Sequence, residues 1–141
     1  LIAIKAPQVA LGYLNAEFPL HDGWFITKDR GEFANGRLTV FGRIDDQIIS
    51  GGEKISLSAI ENYLQTEFTH PEIVAFSVPD KEWGERLCIA TTQHVALDQL
   101  QEKLKKKFGA HASPKEMFKV ESIPYLALGK PDRKKLADDY A

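Results

Sequence analysis

Ile73-Val74-Ala75-Phe76-Ser77-Val78 constrains this chain more than any other stretch. It is β-branched and aromatic, carries no charge and runs into Pro79-Asp80, so it predicts a buried strand that stops there. Leu87-Cys88-Ile89-Ala90-Thr91-Thr92 has the same character and predicts its neighbour, with Asp80 to Arg86 as the connecting loop. Such a pair needs apolar cover. Leu97, Leu100, Leu104 and Phe108 recur at helical spacing among charged residues and end before Gly109, which predicts a helix laid over the sheet. Phe118-Lys119-Val120 predicts a third strand, so the order from Ile73 is strand, strand, helix, strand, an α+β arrangement.

Upstream of that unit, Ser58 and Glu61 form a capping-box signature, and Ile60, Tyr63, Leu64 and Phe68 follow at helical spacing, which predicts a helix from Ser58 to Glu67. Gln47 to Ile55 reads as two short strands around Gly51-Gly52. Downstream of Ile123-Pro124 the pattern is irregular through Gly129, and Asp132 to Asp138 is compatible with a short terminal helix. From Leu1 to Phe41 the chain shows short β runs, and Asn35-Gly36 is a hairpin signal because a type I′ turn requires φ > 0 at both central residues. The polar break Gly42-Arg43-Ile44-Asp45-Asp46 predicts a boundary near Asp45, dividing the chain into residues 1–44 and 45–141. The first piece is too small to bury a core of its own and reads as the edge of a larger β structure. Its exposed β edges would seek partners in missing neighbours or in a second copy of the chain, so a homodimer stays open.

Composition excludes several functions. With 141 residues, 43% hydrophobic and 27% charged, the chain is ordinary globular material. Eighteen Lys plus Arg against 20 Asp plus Glu give a net charge of −2, which offers no global attraction for nucleic acid. Cys88 is the only cysteine. It allows no intramolecular disulfide and no thiolate cluster, which fits a reducing compartment and makes the cytoplasm the expected location. His21, His70, His94 and His111 lack metal-ligand spacing, so no protein-held metal is expected. No apolar run reaches the roughly 18 residues of a membrane helix. The start Leu1-Ile2-Ala3-Ile4-Lys5-Ala6-Pro7 has no signal-peptide pattern and no initiator Met, which suggests a chain cut from a longer one.

Three motifs carry chemistry. Asp22-Gly23-Trp24-Phe25-Ile26-Thr27-Lys28-Asp29 comes first, then Gly42-Arg43-Ile44-Asp45 running into Ile48-Ile49-Ser50-Gly51-Gly52-Glu53-Lys54-Ile55, then Gly129-Lys130-Pro131-Asp132-Arg133-Lys134-Lys135-Leu136. In order and separation they resemble the adenylate-forming superfamily of acyl-CoA synthetases, luciferases and peptide-synthetase adenylation domains. One departure is Lys28, which stands where the family's TGD has glycine. The resemblance covers essentially the whole chain. It implies that residues 1–44 are the end of a large amino-terminal domain and that residues 45–141 are a small carboxy-terminal lid, a short β-hairpin plus a three-stranded sheet with helices. The phrase around Gly51 is similar to the ISGGENI element of acyl- and aryl-CoA ligases, most like 2-succinylbenzoate–CoA ligases of menaquinone synthesis and next like 4-halobenzoate–CoA ligases.

The resemblance implies ATP with Mg2+ and coenzyme A as substrates beside a small carboxylic acid, and it assigns roles to single residues. Lys130 would be the adenylation lysine, a cation delivered on a glycine-hinged loop to where negative charge accumulates. Asp29 would accept hydrogen bonds from the ribose hydroxyls of AMP, and Arg43 would meet the same ribose or phosphate with its planar fork. Asp45 would be the lid hinge. Gly51 and Gly52, lacking β-carbons, would let the pantetheine arm of CoA approach the backbone, and Trp83 would lie along that channel. The ten Lys and Arg against four Asp and Glu between Gln101 and Lys135 suit the phosphates of CoA. Without the resemblance, each of these residues has a plain alternative as a surface charge, turn or core group. The contrasting function is a stand-alone α+β binding module that uses this basic face. The superfamily's phosphate loop should lie upstream of Leu1, so the isolated chain is expected to be inactive.

Overall fold

Alternate residues of the two apolar runs face opposite sides of one sheet. The fold is a computed structural model that describes residues 1–68 and 72–141. It divides into two compact units, Leu1–Asp46 and Gln47–Ala141.

The first unit is β-rich. Strands β1 (Ala3–Ile4), β2 (Leu20–His21) and β3 (Trp24–Ile26) form an antiparallel sheet with β3 in the middle, and β4 (Asp29–Ala34) pairs with β5 (Arg37–Arg43) as a hairpin. The Asn35-Gly36 turn joins β4 to β5 with φ of 52° and 75°, the left-handed pair that a type I′ turn demands. A 3₁₀ turn over Ile44–Asp46 ends the unit. Thr27 is its one buried residue, and Leu11, Leu14 and Phe33 are largely exposed. The unit has no core of its own.

The second unit holds a mixed sheet of β6 (Gln47–Ser50), β7 (Glu53–Ser56), β8 (Ile73–Asp80), β9 (Gly84–Thr91) and β10 (Glu116–Lys119), with helices α1 (Leu57–Glu67), α2 (Leu97–Phe108) and α3 (Arg133–Tyr140). β8 runs antiparallel along the whole of β9. The other edge of β9 is shared, with β10 parallel from Cys88 to Thr91 and β6 meeting it at Ser50 and Gly84. The expected hairpin and three-stranded sheet are thus one five-stranded sheet.

Ile73 and Ala75 of β8 and Leu87 and Ile89 of β9 pack with Ile60 and Leu64 of α1 and Leu100 and Leu104 of α2. Val74, Phe76 and Val78 face the other way with Cys88 and Ala90, and Leu136 of α3 joins them. A sheet covered on both faces needs continuous apolar strands, which is why these runs lack alternation.

Three expectations need correction. β8 continues through Pro79 and Asp80, and β9 begins at Gly84, so the connection is only Lys81 to Trp83. Pro79 fits because β8 pairs with β9 alone among the described strands, and a proline on an edge need not break a ladder. The cap of α1 is Ser56, whose Oγ accepts from the Ala59 N–H at 3.3 Å, instead of Ser58. Glu61 accepts from the Ala75 N–H at 2.8 Å, a bond that reaches from the helix to the sheet. The terminal helix runs to Tyr140, with Asp132 capping it through the Lys135 N–H at 3.0 Å.

Candidate functional site

The β4–β5 register places Asp29 opposite Arg43. The Arg43 Nη1 lies 3.6 Å from Asp29 Oδ1, while its Nε and Nη2 each donate to the Asp45 carboxylate at 2.8 Å. Lys28 Nζ stands 3.3 Å from the same carboxylate. These cations, the Arg43 hydrogen bonds first, hold the Asp45 carboxyl down at about 2. Thr27 fixes the start of β4, donating its hydroxyl to the Ile2 carbonyl and accepting from the Asp29 N–H. Asp29, Arg43, Lys28 and Phe25 help line an open cleft of about 670 Å³ within this unit. A paired carboxylate and guanidinium on a cleft wall offer acceptors and donors to a polar ligand.

In the second unit Gly51, Gly52 and Trp83 come together. Gly51 and Gly52 form the β6–β7 turn with φ of 59° and 83°. The Gly51 N–H donates to the Trp83 carbonyl at 3.0 Å, and the indole packs on Gly51. Asp80 shapes the Trp83 turn, its Oδ1 accepting from the Glu82 and Trp83 N–H groups at 2.9 Å. Those two donors hold the Asp80 carboxyl below its usual range. On the ring itself sits Lys115, its Nζ 3.8 Å from the centroid.

Lys130 stands on a tight hairpin. The Leu126 N–H donates to the Lys130 carbonyl at 2.8 Å, the Gly129 N–H to the Leu126 carbonyl at 2.9 Å, and Tyr125 bridges Pro131. Gly129 adopts φ of 77°, the left-handed residue that closes such a three-residue turn. The loop is therefore a hydrogen-bonded turn closed by Gly129. Both ends are tied: Tyr125 donates its hydroxyl to Glu72 at 3.0 Å, and Asp132 N–H donates to the Pro124 carbonyl at 2.8 Å. The Lys130 amino group has no hydrogen-bond or ion-pair partner among the described residues.

No protein-family model matches the chain. It is 33% identical over 135 residues to 2-succinylbenzoate–CoA ligase from Enterococcus faecalis, an alignment covering 92% of this chain and 28% of the relative. It is 35% identical over 153 residues to oxalate–CoA ligase from Arabidopsis thaliana, covering 99% and 29%. Among solved structures, Escherichia coli MenE with bound OSB-AMS superposes with a TM-score of 0.75 at 30% identity, over 96% of this chain and 31% of that one. The chain's homologues are CoA ligases, and its structural neighbours are adenylate-forming enzymes. It spans 28% and 29% of the length of the two curated relatives above. Amide bond synthetase McbA from Marinactinospora thermotolerans shares the fold at a TM-score of 0.82 and 26% identity, over 99% of this chain and 30% of its own.

Two features of this chain carry no signal in its motifs. Lys115 belonged to a basic stretch with no individual signal, and only the fold sets it on Trp83. Arg133, within the GKxxRxxL frame, donates to the Ala75 carbonyl at 2.8 Å and to both Glu61 oxygens at 3.0 and 2.8 Å. It clasps the segment after Lys130 to β8 and α1. Among the described residues, no group of three or more His, Cys, Asp and Glu is placed to hold a metal, and His70 lies outside them. No described helix is long and apolar enough to cross a membrane.

Proposed function

We propose that the protein carrying this chain is an AMP-forming acid–CoA ligase. A carboxylate oxygen attacks the α-phosphate of ATP, supplied with Mg2+, and pyrophosphate leaves. The CoA thiolate then attacks the acyl carbon of the adenylate, and AMP leaves with the bonding electron pair. On this reading residues 1–44 close the large adenylation domain and residues 45–141 form the lid.

Lys130 supplies the cation for the first step. Its support is the observation that carries the reading: an unpartnered amino group on a hairpin tied at both ends, in a chain whose curated relatives are CoA ligases. A pre-positioned charge costs little reorganisation when negative charge develops. Asp29 and Arg43 hold the ribose and phosphate of AMP. Asp45 is the pivot between an adenylating and a thioester-forming pose. The Gly51-Gly52 turn and Trp83 take the pantetheine arm, and Lys115 adds a positive charge beside it.

2-Succinylbenzoate is the first acid to test, which would place the enzyme in menaquinone biosynthesis in the cytoplasm. The acids named by the two relatives above, 2-succinylbenzoate and oxalate, are both dicarboxylic, so the panel begins there and extends to 4-halobenzoates.

The test is pyrophosphate release by the full-length protein, wild type against Lys130→Ala. A fall of roughly a hundredfold or more, as when a transition-state charge partner is removed, with transfer from preformed acyl-adenylate to CoA retained, is the expected result. Release with another acid keeps the chemistry and discards 2-succinylbenzoate. No release with any acid moves the reading to a binding module.

A further inference from the structure

We propose that Glu85 is a positioning residue for the thioester-forming half-reaction, fixing the turn end of the β6–β7 hairpin, and with it the Gly51–Trp83 contact, to the sheet. The inference rests on the reading above that this hairpin guides CoA.

The hairpin is weakly joined to its sheet. β6 and β7 have four residues each, and β6 meets β9 at the single pair Ser50 and Gly84. A two-stranded hairpin of that size is marginal alone. Ile48 and Ile55 anchor its base in the core, at 4% and 3% exposure, but the next pair outward, Ile49 and Lys54, is exposed. Beyond the Trp83 indole against Gly51, the buried apolar core stops short of the turn end.

Glu85 fills that gap. Its Oε2 accepts from the Ile49 N–H at 2.9 Å, and its Oε1 accepts from the Ser77 hydroxyl at 2.9 Å. One carboxylate thus spans three strands, β6, β8 and its own β9. With the Gly51 N–H donating to the Trp83 carbonyl, the amides on either side of Ser50 are both fastened to β9 or its turn. Both carboxylate oxygens accept here, and the Ser77 hydroxyl could equally accept from a donor in that place. Glutamine can reproduce the pattern: its carbonyl accepts from Ile49 and its amide donates to Ser77 Oγ. Alanine cannot.

The test compares Glu85→Ala, Glu85→Gln and Ser77→Ala in the full-length protein, reading the half-reactions separately with ATP, acid and CoA. In Glu85→Ala, acid-dependent pyrophosphate exchange stays near wild type, while transfer from preformed adenylate falls about tenfold at subsaturating CoA, the scale of one charge-assisted hydrogen bond. Glu85→Gln restores transfer, and Ser77→Ala shows a smaller loss confined to the same step. If Glu85→Ala does not fold, Ser77→Ala carries the comparison alone. Equal loss of both half-reactions, or unchanged transfer, overturns the inference while leaving the ligase reading intact. A wild type that ligates no acid overturns the ligase reading. The hold on the hairpin is then judged by amide exchange at Ile49 and Gly51, and unchanged exchange in Glu85→Ala overturns that too.

Discussion

The six-membered ring of Trp83 lies so close to Gly51 that a β-carbon there would stand 2.8 Å from Cε3 and 2.9 Å from Cζ3. Gly52, the next residue, has open space around the same position. Both glycines are left-handed, so alanine at either costs about 1 kcal/mol of backbone strain. Only Gly51→Ala must also displace the indole. In a Trp24→Phe background, Gly51→Ala is expected to shift the Trp83 emission and lower the melting midpoint further than Gly52→Ala. Equal effects from the two would mean that the indole yields freely.

Arg133 gives a second prediction. Its guanidinium serves a carbonyl of β8 and both oxygens of Glu61 together, and Glu61 is 13% exposed at its side chain. Arg133→Ala leaves that carboxylate short of a partner and is expected to cost about 2 kcal/mol in denaturant unfolding. Arg133→Lys is expected to recover little, because an ammonium cannot make the planar fork. Full recovery by lysine would show that charge alone matters at this position.

What could be read in advance, and what could not, divides along the range of the interactions. Asn35-Gly36 announced its hairpin because the backbone preference is carried by those two residues alone. Leu97 to Phe108 matched its helix to the residue because both the stripe and the terminal Gly109 are local. Ser58 misled: Ser-x-x-Glu satisfies a capping box on its own, but the sheet and Arg133 claim Glu61, and the cap falls to Ser56. Pro79 misled for a similar reason, since its tolerance depends on a strand edge that only the fold defines. In the site, Asp29 and Arg43 are legible as a motif and meet across a hairpin. Lys115 is illegible because its meaning is a ring 32 positions away in sequence, counted from Trp83.

Asp45 predicts a pH response. Its carboxyl is held at about 2, below the ordinary 3.8, first by hydrogen bonds from Arg43 and then by Lys28. A lowered folded value means that the stabilisation is present above about 3.8 and is lost as pH falls toward 2. The side chain is 41% exposed, so solvent screens the pair and the energy is small. Carboxyl NMR should therefore show Asp45 titrating near 2, and Arg43→Ala should return it toward 3.8. A carboxyl titrating at the ordinary value in the wild type would mean that the fork does not persist in solution.

Cys88 predicts silence. It is fully buried between β8 and β10, paired with Phe76 on one side and Glu116 on the other, and burial pushes its thiol up to about 11 from 9. The reactive species is the thiolate, so at pH 8 the native protein is expected to resist an alkylating reagent that modifies the unfolded chain readily. Between pH 9 and 11 ionisation is favoured only after unfolding, so stability is expected to decline across that window. Because Cys88 belongs to the α3 side of the sheet, its labelling rate reports the opening of that layer. Arg133→Ala, which loosens the start of α3, is expected to raise this rate at constant pH, whereas Gly52→Ala, acting on the exposed β6–β7 turn, is expected to leave it much less affected. Fast labelling of the folded wild type at pH 8 would show that the layer opens far more often than its packing implies.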